Sequence, residues 1–418
     1  MTDTTTGATT GATTGATTGA TTAAVSAATI AATTSTAAAA GGAWTKTGDL
    51  PSPASWSGQY DGAVLLKSGK VLLTGGSDAA SAVLARTAVY DPAAATWTAG
   101  VPLRFPRRLH TVTRLDDGRV LVAGGTSGAS PLSPGLAGAE LYNPADDTWK
   151  SAADMREARW GHSAVLLADK RVLVAGGVAV RSGDSVKALR SAEIYDPATD
   201  TWTDGGAMTD ARTGHSAVLF KGGQVLVCGG TAPISGHDDA SLAFCELFNP
   251  TTRAWTPTGS LVLPRSRHQA VAASDTAALV FGGATPGAPG DGTFDPFAGL
   301  TVERFDLATG VWTALPASPG GRGLHRVVPL GGGKFLLVGG TAEVRDGVGY
   351  RSALVFDDTT GAWTAAAGTT VGRWAFAATA LSDGRVLIAG GTVRAGLAAA
   401  DPAVPELTAT TEVFGAAS

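Results

Sequence analysis

Seven Gly-Gly doublets punctuate the chain, beginning at Gly75, Gly124, Gly176, Gly229, Gly282, Gly339 and Gly390. The spacings are 49, 52, 53, 53, 57 and 51 residues, and each doublet closes an apolar, β-rich run. Behind each doublet stands an aromatic residue: Tyr90, Tyr142, Tyr195, Phe248, Phe305, Phe356 and Phe414. A Trp follows the first six of these by seven residues, at Trp97, Trp149, Trp202, Trp255, Trp312 and Trp363, and the next doublet starts 27 residues after each Trp. Two offsets held constant over six units cannot come from composition bias. A length of 418 residues would otherwise suggest two or three domains. A fixed period near 50 residues instead specifies one repeated supersecondary unit.

Each unit reads as four short strands. In the third, SAVLL and RVLVA are β-rich runs around a turn, AEIYDP is a third strand stopped by Asp-Pro, and the Trp lies on a fourth. Sister units place Asp117-Gly118 and Asp383-Gly384 at the first turn, a hairpin signal. A four-stranded antiparallel sheet repeated in this way is a propeller blade. The seventh unit has no Trp after Phe414, whereas Trp44 precedes the first doublet without a unit of its own. The expected fold is therefore all-β: a seven-bladed β-propeller over residues 43–418, its ring closed by an N-terminal strand that completes the last blade. Residues 1–42 are a Thr/Ala/Gly tract with GATT repeats, too poor in large apolar groups to offset chain entropy, and are expected to be disordered.

The composition narrows function by exclusion. A net charge of −4 with 16% charged residues disfavours nucleic-acid or membrane-surface binding. No stretch of 18 apolar residues is present to span a membrane, and the opening has neither a basic nor an apolar region of a secretory signal, so a cytoplasmic location is expected. Two cysteines cannot staple such a chain; Cys228 and Cys245, placed to sit across from one another in the fourth unit, are expected as free thiols. No phosphate-loop, dinucleotide or standard zinc motif occurs. His237, Asp238 and Asp239 form the one acidic-histidine cluster and read as a solvated loop. No metal and no cofactor are expected.

The Gly-Gly, Tyr and Trp offsets, with Tyr-Asp-Pro and Thr-Trp in several units, closely resemble the kelch family over residues 43–418. In that family the segment before each doublet begins the innermost strand at the mouth of the central channel. Counted back from the doublets, that segment carries Arg107, Arg159, Arg212, Arg265, Arg322 and Arg373, and three residues later His110, His162, His215, His268 and His325, with Phe376 in the last unit. The same count puts Gly58 and Asp61 in the first unit. The resemblance implies an Arg ring at the mouth and a His ring along the channel wall. Glu140, Glu193, Glu246, Glu303 and Glu412 lie two residues before the strand-three aromatics, so structural Arg–Glu pairing is the competing expectation.

Departures from the repeat single out candidate sites. Trp56, Tyr60, Phe105, Trp160, Trp374 and Phe376 fall near the inner strands of contiguous units seven, one, two and three, and predict an aromatic arc at the mouth. With Arg107, Arg159, Arg373 and His162 they are the expected ligand-binding residues. Asp61 and His110 are the expected catalytic pair if the protein is an enzyme. The expected function is a monomeric binding propeller whose mouth takes a small anionic, aromatic or sugar ligand or an acidic peptide. The alternative is a cofactor-free isomerase, mutarotase or cyclase working by acid-base groups. A copper-radical oxidase, as in galactose oxidase, is disfavoured because Tyr90, Tyr142 and Tyr195 are scaffold residues.

Overall fold

The computed structural model describes residues 42–56, 62–130, 133–181, 185–232, 240–285, 297–344 and 346–415. These form seven antiparallel four-stranded sheets. Blade II is representative: Thr111–Arg114, Val120–Ala123, Ala139–Asn143 and Thr148–Ala152, running from the innermost strand to the rim. Blade VII takes its inner three strands from Ala377–Ala380, Val386–Ala389 and Thr411–Gly415, and its outermost strand from Ala43–Lys46. Trp44 pairs with Phe414 in that register, so the ring is closed by the strand that the repeat count required. No helix among the described residues is long and apolar enough to cross a membrane, which leaves β-strand spanning untouched.

The repeat residues hold the blades together. In every blade the strand-three aromatic and the outer-strand Trp are directly opposite and tilted against each other, with ring centroids 4.9–5.2 Å apart. Such cross-strand aromatic pairs contribute more than their area alone. Each indole N–H then reaches back to the preceding blade, as Trp202 Nε1 donates to Ala153 O at 2.8 Å. Trp44 Nε1 does the same to Ala367 O of blade VI at 2.8 Å. The second and third strands are buried on both faces, and the apolar clusters bridge neighbours, blade II with III and blade VII with I.

The first glycine of each doublet is where the next blade presses in. At Gly124 (φ +61°) a Cβ would lie 2.6 Å from both Arg159 O and His162 Cε1. Only a residue without a side chain allows that approach. In blades II to VII the second residue before the inner strand is left-handed: Leu109, Gly161, Gly214, Arg267, Leu324 and Ala375 all have φ between +51° and +64°. Their amides link blade to blade, Gly161 N to Leu109 O, Gly214 N to Gly161 O, Arg267 N to Gly214 O, Ala375 N to Leu324 O and Trp56 N to Ala375 O, at 2.7–3.2 Å. These backbone hydrogen bonds tie neighbouring blades together just ahead of their inner strands.

Candidate functional site

The face bearing the doublets gathers the entry loops to the inner strands and the connections between second and third strands. In blades II to VII the entry loop delivers an arginine inward. Arg159 Nη1 donates to Gly176 O and Ser191 O, both at 2.9 Å, and its Nη2 to Glu193 Oε1 at 2.8 Å. Arg107–Glu140, Arg212–Glu246 and Arg373–Glu412 repeat the ion pair at 2.6, 3.0 and 2.7 Å, and Arg265 pairs with Glu303. The carboxylates also accept loop amides: Glu193 takes Arg156 N at 2.8 Å and Glu157 N at 3.1 Å. These five guanidiniums are wholly buried. Burial pulls Arg107, Arg159, Arg265 and Arg373 down, Arg373 to about 10, and the charge of the paired glutamate opposes it. A cation so enclosed is held by its own blade, which places the expected ligand arginines Arg107, Arg159 and Arg373 inside the scaffold rather than on an open ring.

The histidines also lie between blades instead of along an open channel wall. His110 Nε2 hydrogen-bonds Thr74 Oγ1 of blade I at 2.9 Å, His162 pairs with Thr111 Oγ1 at 3.0 Å and His215 with Ser163 Oγ at 2.9 Å. Burial, reinforced by the arginine three residues before, pushes His110, His215 and His325 down to about 3, and His162 and His268 well below the ordinary value. An imidazole held neutral in this way does not exchange protons near neutral pH. The catalytic expectation for His110 is at odds with that placement. Its expected partner Asp61, together with Tyr60, lies outside the described residues, as do His237, Asp238 and Asp239.

Blade I corrects the count from the doublets. Ala54 O accepts Gly391 N at 2.7 Å, as Arg107 O accepts Gly76 N at 3.1 Å. Ala54 therefore stands in the arginine place, and the Trp56 ring, against Gly390, fills the histidine slot. The entry to blade I is longer than the others: Trp44 precedes its doublet by 31 residues, not 27. Counting forward from Trp44 finds Ala54 at the offset that gives arginine elsewhere, a signal available in the sequence. The same forward count gives a buried apolar residue six after the Trp, at Leu50, Leu103, Met155, Met208 and Leu261, which the doublet count missed.

The aromatic arc is likewise mostly interior. Trp56, Trp374 and Phe376 are buried, and Trp56 Nε1 donates to Thr74 O at 3.0 Å. Trp160 is half-buried, and Phe105 is exposed, with the Arg104 guanidinium 5.9 Å from its ring centre. What this face does present is apolar: Phe105, Phe244, Val262, Leu263, Val348 and Leu397 are all exposed on its loops, Leu397 to 82%. On the opposite face, at the start of a fourth strand, the one large apolar side chain exposed among the described residues is Val311. No group of three His, Cys, Asp or Glu side chains among the described residues is placed to hold a metal ion.

Comparison with known proteins agrees with this architecture. The KLHDC2/KLHL20/DRC7 Kelch-repeats domain model matches residues 161–391 and the Kelch motif model residues 107–156. The chain belongs to the kelch-repeat family, as a seven-bladed propeller. It is 28% identical over 198 residues to Kelch-like protein 34 of Homo sapiens, covering 46% of this chain and 28% of that protein. It is 27% identical over 224 residues to Beta-scruin of Limulus polyphemus, covering 51% of this chain and 24% of that protein. The chain thus spans well under half the length of these curated relatives. Among solved structures, a fungal alcohol oxidase of the AA5 family in complex with copper superposes with a TM-score of 0.66 at 18% identity, over 90% of this chain and 76% of that one. At that identity the likeness is one of fold.

Proposed function

We propose that the chain is a binding propeller that docks a partner polypeptide on its doublet face. The reading rests on one observation: the exposed large apolar side chains crowd the loops of that face, while the other carries Val311. Soluble surfaces expose such groups together mainly where something covers them. The arginines and histidines beneath are buried within and between the blades, so recognition falls to the variable loops on a rigid support. Anionic or aromatic ligand chemistry at the channel mouth would use the same loops, where Phe105 is the most exposed of the expected aromatics among the described residues.

The test is a pair of charge substitutions in the full chain. Phe244→Asp with Leu263→Asp should abolish cross-linked partner recovery from cells while the melting temperature shifts by only a few degrees, because both side chains are already about half exposed. Val311→Asp should recover the same partners as the unaltered chain. Equal recovery by all three proteins overturns the reading.

A further inference from the structure

Blade VI, made of Arg326–Gly331, Lys334–Val338, Ala353–Asp357 and Ala362–Ala366, keeps the arginine but breaks the ion-pair rule of the five other blades that carry it. Where they carry Glu193, Glu246, Glu303 or Glu412, register places Leu354, opposite Leu337 as Glu193 is opposite Val174. The amide donor is altered too. In the sister blades the residue three before the arginine donates its N–H to the carboxylate, as Arg156 and Thr209 do at 2.8 Å. In blade VI that residue is Pro319, which has no N–H. The acid and one of its donors have been replaced together, and the cation has been kept.

Arg322 is only 3% exposed, and its partners are all neutral. Nη1 donates to Gly339 O at 3.0 Å and Ser352 O at 3.3 Å, Nη2 to Ser352 Oγ at 3.1 Å and Nε to Gly320 O at 3.4 Å. The Tyr350 ring centre lies 5.3 Å from the guanidinium carbon. A buried cation without a counter-charge is costly, and Arg does not shed its proton to relieve it. Gly320 N is the counterpart of Glu157 N and Asp210 N, which donate to the sister carboxylates, and it donates to no backbone acceptor among the described residues. Leucine ends one bond short of where glutamate carries its oxygens.

We propose that blade VI binds a small monocarboxylate, which takes the place of the missing glutamate between Arg322 and the Gly320 amide. One negative charge balances one guanidinium, and a planar carboxylate matches the guanidinium fork. The site lies within one blade and does not depend on the docking of a polypeptide proposed above.

Acetate is the probe, titrated into the full chain against chloride at equal ionic strength, with melting temperature and calorimetric heat as readouts. The unaltered protein should bind acetate saturably and melt higher with it. Leu354→Glu supplies from within the carboxylate that the sister blades use; it should melt higher in chloride and lose the acetate response. Arg322→Met should weaken apparent acetate affinity at least about thirtyfold. Inorganic phosphate, larger and not planar, should act no more strongly than chloride. Should the unaltered chain respond to acetate no more than to chloride, or should Leu354→Glu or Arg322→Met respond as it does, the proposal fails.

Discussion

Five histidines sealed between blades make the ring sensitive to acid. Their folded pKa values lie below the ordinary 6.5, so on acidification the unfolded chain takes up protons first. The stability that depends on neutral imidazoles is complete above about pH 6.5 and is lost as pH falls toward the folded values. Each histidine contributes about 1.4 kcal/mol per pH unit over that window. Melting temperature should therefore fall steeply between about pH 6.5 and 4.5. Phe376 occupies the same slot in blade VII, packed against Gly339. His268→Phe should accordingly fold and take up about one proton fewer on unfolding near pH 5, measured by calorimetric melts in buffers of differing ionisation heat. An unchanged proton uptake would mean that the histidines are not held neutral.

Within a blade, the arginine, its carboxylate and the loop amides act as one clasp. Glu246→Leu would strand Arg212 together with the amides of Thr209 and Asp210. Breaking a buried pair from one side costs about 3–5 kcal/mol, and urea unfolding should show a loss of that order. Blade VI carries leucine at this register together with Pro319, which has no amide to strand. Such pairing was legible in the sequence as Arg and Glu at fixed offsets, and Cys228 does face Cys245 across the ladder as free buried thiols. The position of the pairs was not legible, because a one-dimensional count cannot tell a channel wall from a blade interface. The left-handed residues were hidden for a related reason: Leu109, Arg267, Leu324 and Ala375 carry side chains that give no sign of positive φ. Short hairpins beyond the doublets, such as Val178–Arg181 with Ser185–Ala188, also escaped notice. Their sequences vary from blade to blade, whereas the strands that make the core do not.

For the molecule as a whole, the repeat arithmetic carried the fold through to the strand that closes it. Removing residues 1–50 should cost several kcal/mol, since the Trp44–Phe414 contact and the outer ladder of blade VII go together. Removing residues 1–40 should leave the melting temperature unchanged, and like melts for both truncations would contradict closure by this strand. The same closure sets an order in time. Ala43–Lys46 is made early, and its ladder partner Thr411–Gly415 follows some 365 residues later, counted from Lys46 to Thr411. At a synthesis rate of about 5–20 residues per second, the first strand waits roughly 20 to 70 seconds for the last. The blades between them can form meanwhile, but they stand as an open arc whose end faces are uncovered and whose first strand, Ala43–Lys46, is unpaired. A growing chain of this design is thus longest exposed to wrong pairing at the very seam that later locks it.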